Sequence, residues 1–133
     1  ADDSKLIREM LRNSLEEANF EVREFTNGLD CWNYLKRHTS ETSDSLHSTP
    51  EFADIIITDI EMPQMDGFTL TKKIKQHDIL KKLPVLLYSS IITEELYHKG
   101  LSVGADEQMS KPDLHKIPLT ANLLIKKYAN EIT

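Results

Sequence analysis

Ile55-Ile56-Ile57-Thr58-Asp59-Ile60-Glu61-Met62-Pro63-Gln64-Met65-Asp66-Gly67 is the stretch that decides the fold of this chain. Its β-branched apolar opening has the composition of a strand buried on both faces, as in a parallel sheet covered by helices. Asp59 follows directly, and Pro63 with Asp66-Gly67 then turns the chain. A carboxylate is thus expected at the carboxyl end of a buried strand, where open α/β sheets place ligand and reaction sites. Such a group can be a nucleophile, a metal ligand or both.

Outward from this strand, the pattern alternates. Gly67 to Gln76 reads as a helix with Leu70 and Ile74 on one face, and Pro84-Val85-Leu86-Leu87-Tyr88 as a second buried strand closed by Ser89-Ser90. Thr93 is placed to cap a helix to about Val103, which Gly100 weakens by about 1 kcal/mol relative to Ala. Gly104-Ala105-Asp106 leads into a short segment ending at Lys111-Pro112, and Pro118 suits the first turn of a last helix. On the amino-terminal side, Ser4 caps a helix predicted from Lys5 to Ala18, ended by Asn19. Phe20, Val22 and Phe25 suggest a short strand, and Asn27-Gly28 opens a helix through Trp32 and Leu35. From His38 to Pro50 the Ser/Thr-rich chain reads as a surface loop. Alternating strands and helices predict a parallel sheet with helices on both faces. No apolar strand precedes the first helix. The expectation is therefore that residues 1–133 form one domain of a longer protein, with its first strand missing from this chain.

The 133 residues suffice for one domain with a real core and are too few for two. A formal net charge of −6 argues against non-specific attraction to nucleic acid or an anionic membrane. No apolar run approaches the roughly 18 residues needed to span a bilayer. The single Cys31 rules out an internal disulfide and fits a reducing cytoplasm.

Asp59, the Ser89-Ser90 pair and Lys111 each follow a predicted strand, and Asp2-Asp3 lie where a further strand would end. Parallel strands bring such positions to one edge. Three carboxylates about 4 Å apart repel by roughly 4 kcal/mol per pair at an effective dielectric of 20, so either one protonates or a divalent cation binds. An all-oxygen, partly hydrated site suits Mg²⁺, with Mn²⁺ as a substitute. Asp59 could then attack phosphorus and form an acyl phosphate, with Lys111 and a Ser hydroxyl answering the phosphoryl oxygens. Taken singly, each residue has a plainer role. Asp2 and Asp3 suit the positive end of a helix, Asp59 a cap, and Lys111 a solvated surface. It is their joint spacing that points to phosphoryl chemistry. The five histidines show no zinc-ligand spacing, and no GxxxxGK phosphate loop is present.

In order, ADDS, IIITDIEMPQMDGFTL, LPVLLYSS, VGAD and SKP resemble a two-component receiver domain over essentially the whole chain. The wording around Asp59 and Ser89 is especially similar to receivers of CheV-type chemotaxis coupling proteins. The resemblance implies a flavodoxin-like five-stranded parallel sheet, order 2-1-3-4-5, with helices on both faces. It implies Asp59 as phosphoacceptor, taking phosphate from a phosphohistidine of a CheA-like sensor kinase. Mg²⁺ would be held by Asp3 and Asp59, by the Glu61 backbone carbonyl, and by Asp2 through water. Ser89 matches the switch hydroxyl and Lys111 the phosphate-binding ammonium. A cis Lys111–Pro112 bond, a CheW-like coupling domain in the same polypeptide and chemoreceptor partners are further implications. So is activity confined to the domain's own phosphorylation and dephosphorylation.

The chain departs from the family pattern in places. Gln108 stands where many receivers place a switch aromatic, Ser90 where a small apolar residue is usual, and the 38–50 loop is long. Ile91, two residues beyond Ser89, suggests slow hydrolysis of the acyl phosphate. Two other functions compete with a phosphorylatable switch signalling through the last two helices and the strand between them. One is a pseudo-receiver docking constitutively. The other is an aspartate-nucleophile phosphohydrolase of the haloacid dehalogenase kind, against which the acid after Asp59-Ile60 is Glu rather than Asp.

Overall fold

A computed structural model describes residues 1–41 and 52–132. Among them are five α-helices and three strands, which alternate from β1 onward: α1 (Lys5–Glu17), α2 (Gly28–Glu41), β1 (Ile56–Asp59), α3 (Gly67–Gln76), β2 (Val85–Ser89), α4 (Glu94–Val103), β3 (Glu107–Ser110) and α5 (Ile117–Ile132). The strands pair in parallel in the order β1-β2-β3. Asp59 is the ladder partner of Tyr88, and Ser89 that of Ser110, so the carboxyl ends of all three strands lie along one edge.

Apolar side chains fill both faces of the sheet. On one face, Cys31 and Leu35 of α2 and Phe68, Leu70 and Ile74 of α3 pack against Ile56, Val85 and Leu87. On the other, Leu11 and Leu15 of α1 and Ile117 and Leu124 of α5 pack against Leu86 and Tyr88. The residues of β2 alternate between these two cores, so the strand is buried along its whole length. That is why it reads as a continuous apolar run rather than an alternating one.

Local chemistry sets the helix starts. The side chains of Ser4, Asp66 and Thr93 accept from the backbone N–H groups of Ile7, Thr69 and Leu96. Asn27 Oδ1 does the same for Asp30 at 2.8 Å. Asn19 takes the left-handed conformation after α1, at φ 69°.

The α/β class holds, with corrections in detail. Three strands are described rather than five. The segment around Phe20, Val22 and Phe25 is not a strand. Among the described residues, its one backbone bond toward the sheet is from Asp2 N–H to the Phe25 carbonyl. Ala1 itself bonds to the edge of β1: its backbone nitrogen donates to the Ile57 carbonyl and its carbonyl accepts from Asp59 N–H. Strand pairing is non-local, and an apolar stretch without a neighbour along its length forms no ladder. The expected loop begins late, since 38–41 complete α2; there Thr39 donates its hydroxyl to the Lys36 carbonyl and so is satisfied within the helix. The remainder of that loop, 42–50, lies outside the described residues. No cis peptide bond occurs among the described residues, so Lys111–Pro112 is trans; the chain passes directly into a 3₁₀ turn, Lys111–Lys116, with Pro in its first turn.

Candidate functional site

Asp59 ends β1 with its side chain almost wholly buried, at 4% exposure for the residue. The turn after it is held by Gly67, whose N–H donates to the Ile60 carbonyl at 2.8 Å. A Cβ at Gly67 would run into the Asp59 carbonyl, so glycine is what lets α3 start this close to the strand end.

Carboxylate oxygens of Asp2, Asp3 and Asp59 lie within 4.8 Å of one another. Asp2 is buried and Asp3 exposed, so the cluster opens to solvent on one side. Asp2 is fixed from several directions: its carboxylate accepts from Ser4 N–H and from the Tyr88 hydroxyl, both at 2.8 Å. Arg8 donates to the Asp2 carbonyl, also at 2.8 Å. Burial, then the charge of Asp2, pushes the Asp59 carboxyl above its ordinary range, against the opposing pull of Lys111. Lys111 Nζ stands 3.5 Å from Asp59 Oδ2. Burial and the Asp2 charge also raise the Tyr88 phenol, which keeps it a donor.

The structure thus brings together Asp2, Asp3, Asp59 and Lys111. Ser89 is buried one residue beyond the ladder partner of Asp59, and its Oγ accepts from Ile91 N–H at 3.4 Å. The Glu61 side chain is exposed and outside the carboxylate cluster; its backbone N–H is one of the groups that favour the ionised form of Asp59. Tyr88 is the residue that sequence reasoning missed. The available signal was a phenol at the end of a buried apolar run, since a buried hydroxyl needs a partner.

Chemically, a half-open all-oxygen carboxylate cluster fits a hard divalent cation. With the Lys111 ammonium beside it, the same pocket is suited to a dianionic phosphoryl group.

This edge-of-sheet carboxylate cluster with its lysine defines a class of signalling domain. The chain belongs to the response regulator receiver domain family, whose model matches residues 1–121. It is 34% identical over 112 residues, 84% of its length, to the response regulator GtcR of Aneurinibacillus migulanus. It is 30% identical over 128 residues, 96% of its length, to the chemotaxis protein CheV3 of Helicobacter pylori. The match takes in 40% of each of these relatives, so the chain corresponds to well under half of either. Among solved structures it is similar to the receiver domain of a signal transduction histidine kinase from Syntrophus aciditrophicus, at TM-score 0.77 and 26% identity, over 96% of this chain and 87% of that one. Among the described residues, no helix is long and apolar enough to cross a membrane.

Proposed function

We propose that this receiver domain is a phosphorylatable switch, with Asp59 as the acceptor. The observation that carries this reading is the cluster of three carboxylates within 4.8 Å, with Lys111 at 3.5 Å from Asp59. The donor set suits Mg²⁺, or Mn²⁺ in its place, held by Asp3 and Asp59 with the Glu61 carbonyl, and with Asp2 acting through water. When bound, the ion supplies positive charge against the phosphoryl oxygens and relieves the repulsion among the carboxylates.

An Asp59 oxygen attacks the phosphorus of a phosphohistidine. The P–N bond breaks as the P–O bond forms, and the imidazole leaves with the electron pair and takes up a proton. Lys111 compensates the charge on the transferred group, and Ser89 turns its hydroxyl toward it as a donor. Tyr88 and Ser4 donate to the two oxygens of Asp2 and so fix its carboxylate within the cluster. No substrate other than the domain's own aspartyl phosphate is turned over. The similarity to CheV3 supports a CheA-like histidine kinase as donor, and a CheW-like coupling domain and chemoreceptors as partners in a cytoplasmic chemotaxis array. The surface formed by α4, β3 and α5 carries the exposed apolar residues Tyr97, Leu101, Leu119 and Leu123, which suits protein docking rather than nucleic acid.

Incubation with a small phosphodonor and Mg²⁺ is expected to add one phosphoryl group to the intact protein, and Asp59→Asn to abolish it. The absence of an adduct on the intact wild type refutes the reading. Partner binding that ignores both phosphodonor and Asp59→Asn would instead identify a constitutive docking module.

A further inference from the structure

Gln108, which stands where an aromatic switch is usual, has a specific seat. It lies on β3 opposite Leu87 and faces α4. Its side-chain N–H donates to the backbone carbonyl of Tyr97 at 2.9 Å. Its side-chain oxygen, Oε1, is buried and has no hydrogen-bond partner; it is the one such side-chain atom among the described residues. The amide occupies the space that a Cβ at Gly100 would fill, and Gly100 is the one buried residue of α4. The helix is otherwise lightly anchored, with Leu96 and Val103 only partly buried and Tyr97 and Leu101 exposed. Elements with few buried apolar contacts are the ones that move at low cost.

The other end of α4 begins at the reactive edge. Ser89 Oγ holds Ile91 N–H by a long bond, and Thr93 caps the helix two residues later. A Ser89 hydroxyl drawn to a phosphoryl group gives up that bond and frees the lead-in to α4. Movement of α4 then lets the unpaired Gln108 oxygen reach water, so the shifted arrangement removes a defect of the resting one.

We propose that Gln108 is the positioning residue through which the state of the Asp59 site reaches α4: its amide, pegged in the Gly100 notch by the bond to Tyr97, holds the helix in the unmodified protein and is released when the helix moves. This rests on the phosphoacceptor reading above.

The test measures amide hydrogen exchange over 94–103 relative to 85–88 in wild type, Gln108→Ala and Gly100→Ala, with and without acetyl phosphate and Mg²⁺. Intact mass records phosphorylation of each sample. Referring α4 to β2 cancels any global loss of stability. In wild type, phosphorylation is expected to raise relative α4 exchange by about 5-fold, the scale of one lost hydrogen bond. In both variants relative exchange is already raised by about that factor without phosphate, and the phosphorylation-dependent change falls below about 2-fold. Gly100→Ala is the sharper arm, because alanine is the better helix former and a purely local effect would slow exchange. Variants that are phosphorylated and respond at α4 as wild type does overturn the role of Gln108 and leave the phosphoacceptor reading standing. Absence of any phosphoryl adduct on wild type overturns that reading and the coupling with it.

Discussion

Asp59→Asn is expected to stabilise the metal-free protein, even though it removes the ion-pair partner of Lys111. Carboxylate oxygens of Asp2 and Asp3 each lie within 4.8 Å of one of Asp59, so each pair repels by about 3.5 kcal/mol at an effective dielectric of 20. Lys111 at 3.5 Å returns about 5 kcal/mol on the same scale. The balance stands against the Asp59 charge by about 2 kcal/mol, and burial adds to it. Exposure of Asp3 and partial exposure of Lys111 screen both sides, leaving a net gain of about 1–2 kcal/mol on neutralisation. For a domain of this size that is roughly 3–10 °C in Tm. The gain depends on pH. The Asp59 carboxyl is raised above its ordinary value of 3.8, so just above that value the native state binds more protons than the unfolded one. Stability of metal-free wild type therefore falls as pH rises through the window between the two values, and the Asn variant lacks this slope. Thermal melts in chelator and in millimolar Mg²⁺ make the assay. Mg²⁺ stabilises wild type through binding and the Asn variant less, so the advantage of Asn shrinks or reverses. A variant that melts below wild type in chelator at neutral pH refutes the electrostatic reasoning.

Further outcomes follow from other contacts. Tyr88→Phe removes the hydroxyl that donates to the buried Asp2 carboxylate and is expected to cost about 1.5–3 kcal/mol in urea unfolding; a neutral result would show that Asp2 is held adequately by Ser4 alone. At the opposite end of the sheet, Lys75 Nζ is 2.8 Å from Asp106, from the Leu83 carbonyl and from the Tyr128 hydroxyl. Lys75→Met leaves the Asp106 carboxylate uncompensated and is expected to cost about 3 kcal/mol, with Asp59 phosphorylation measured by mass unchanged. Ile91 is exposed beside the site, and Ile91→Glu is expected to shorten the phosphoryl half-life several-fold by drawing water to it. A half-life that barely moves removes Ile91 as a shield.

The parts of this molecule that were legible in its sequence are those with a one-residue or one-period signature. β1 and β2 announce themselves because burial on both faces leaves no polar alternation, and the caps at Ser4 and Thr93 because each is a single side chain acting on its own helix. Asp2, Asp3, Asp59 and Lys111 could be grouped because parallel strands order their ends along one edge. The segment at 20–25 could not be read this way. Its apolar residues are local, but a strand exists only where a neighbour supplies the ladder, and among the described residues one bond, from Asp2 N–H to the Phe25 carbonyl, reaches it from the sheet side. Tyr88 was hidden for a related reason: its strand position is a local property, whereas its bond to Asp2 spans 86 residues.

Gly100 and Gln108 show the same limit most sharply, because each looked like a defect when taken alone. Gly100 reads as a residue that weakens a helix, and Gln108 as the absence of an aromatic. In the fold they are one contact: the glycine makes the space and the amide fills it, bonding to the carbonyl three residues before the glycine. An aromatic ring at 108 would not fit that notch without displacing α4, and an alanine at 100 would expel the amide. The two positions are therefore expected to tolerate change together better than singly. A Gly100→Ala, Gln108→Ser double variant is expected to recover α4 protection that Gly100→Ala alone loses, and additive losses in the pair would show that the two residues do not share one space.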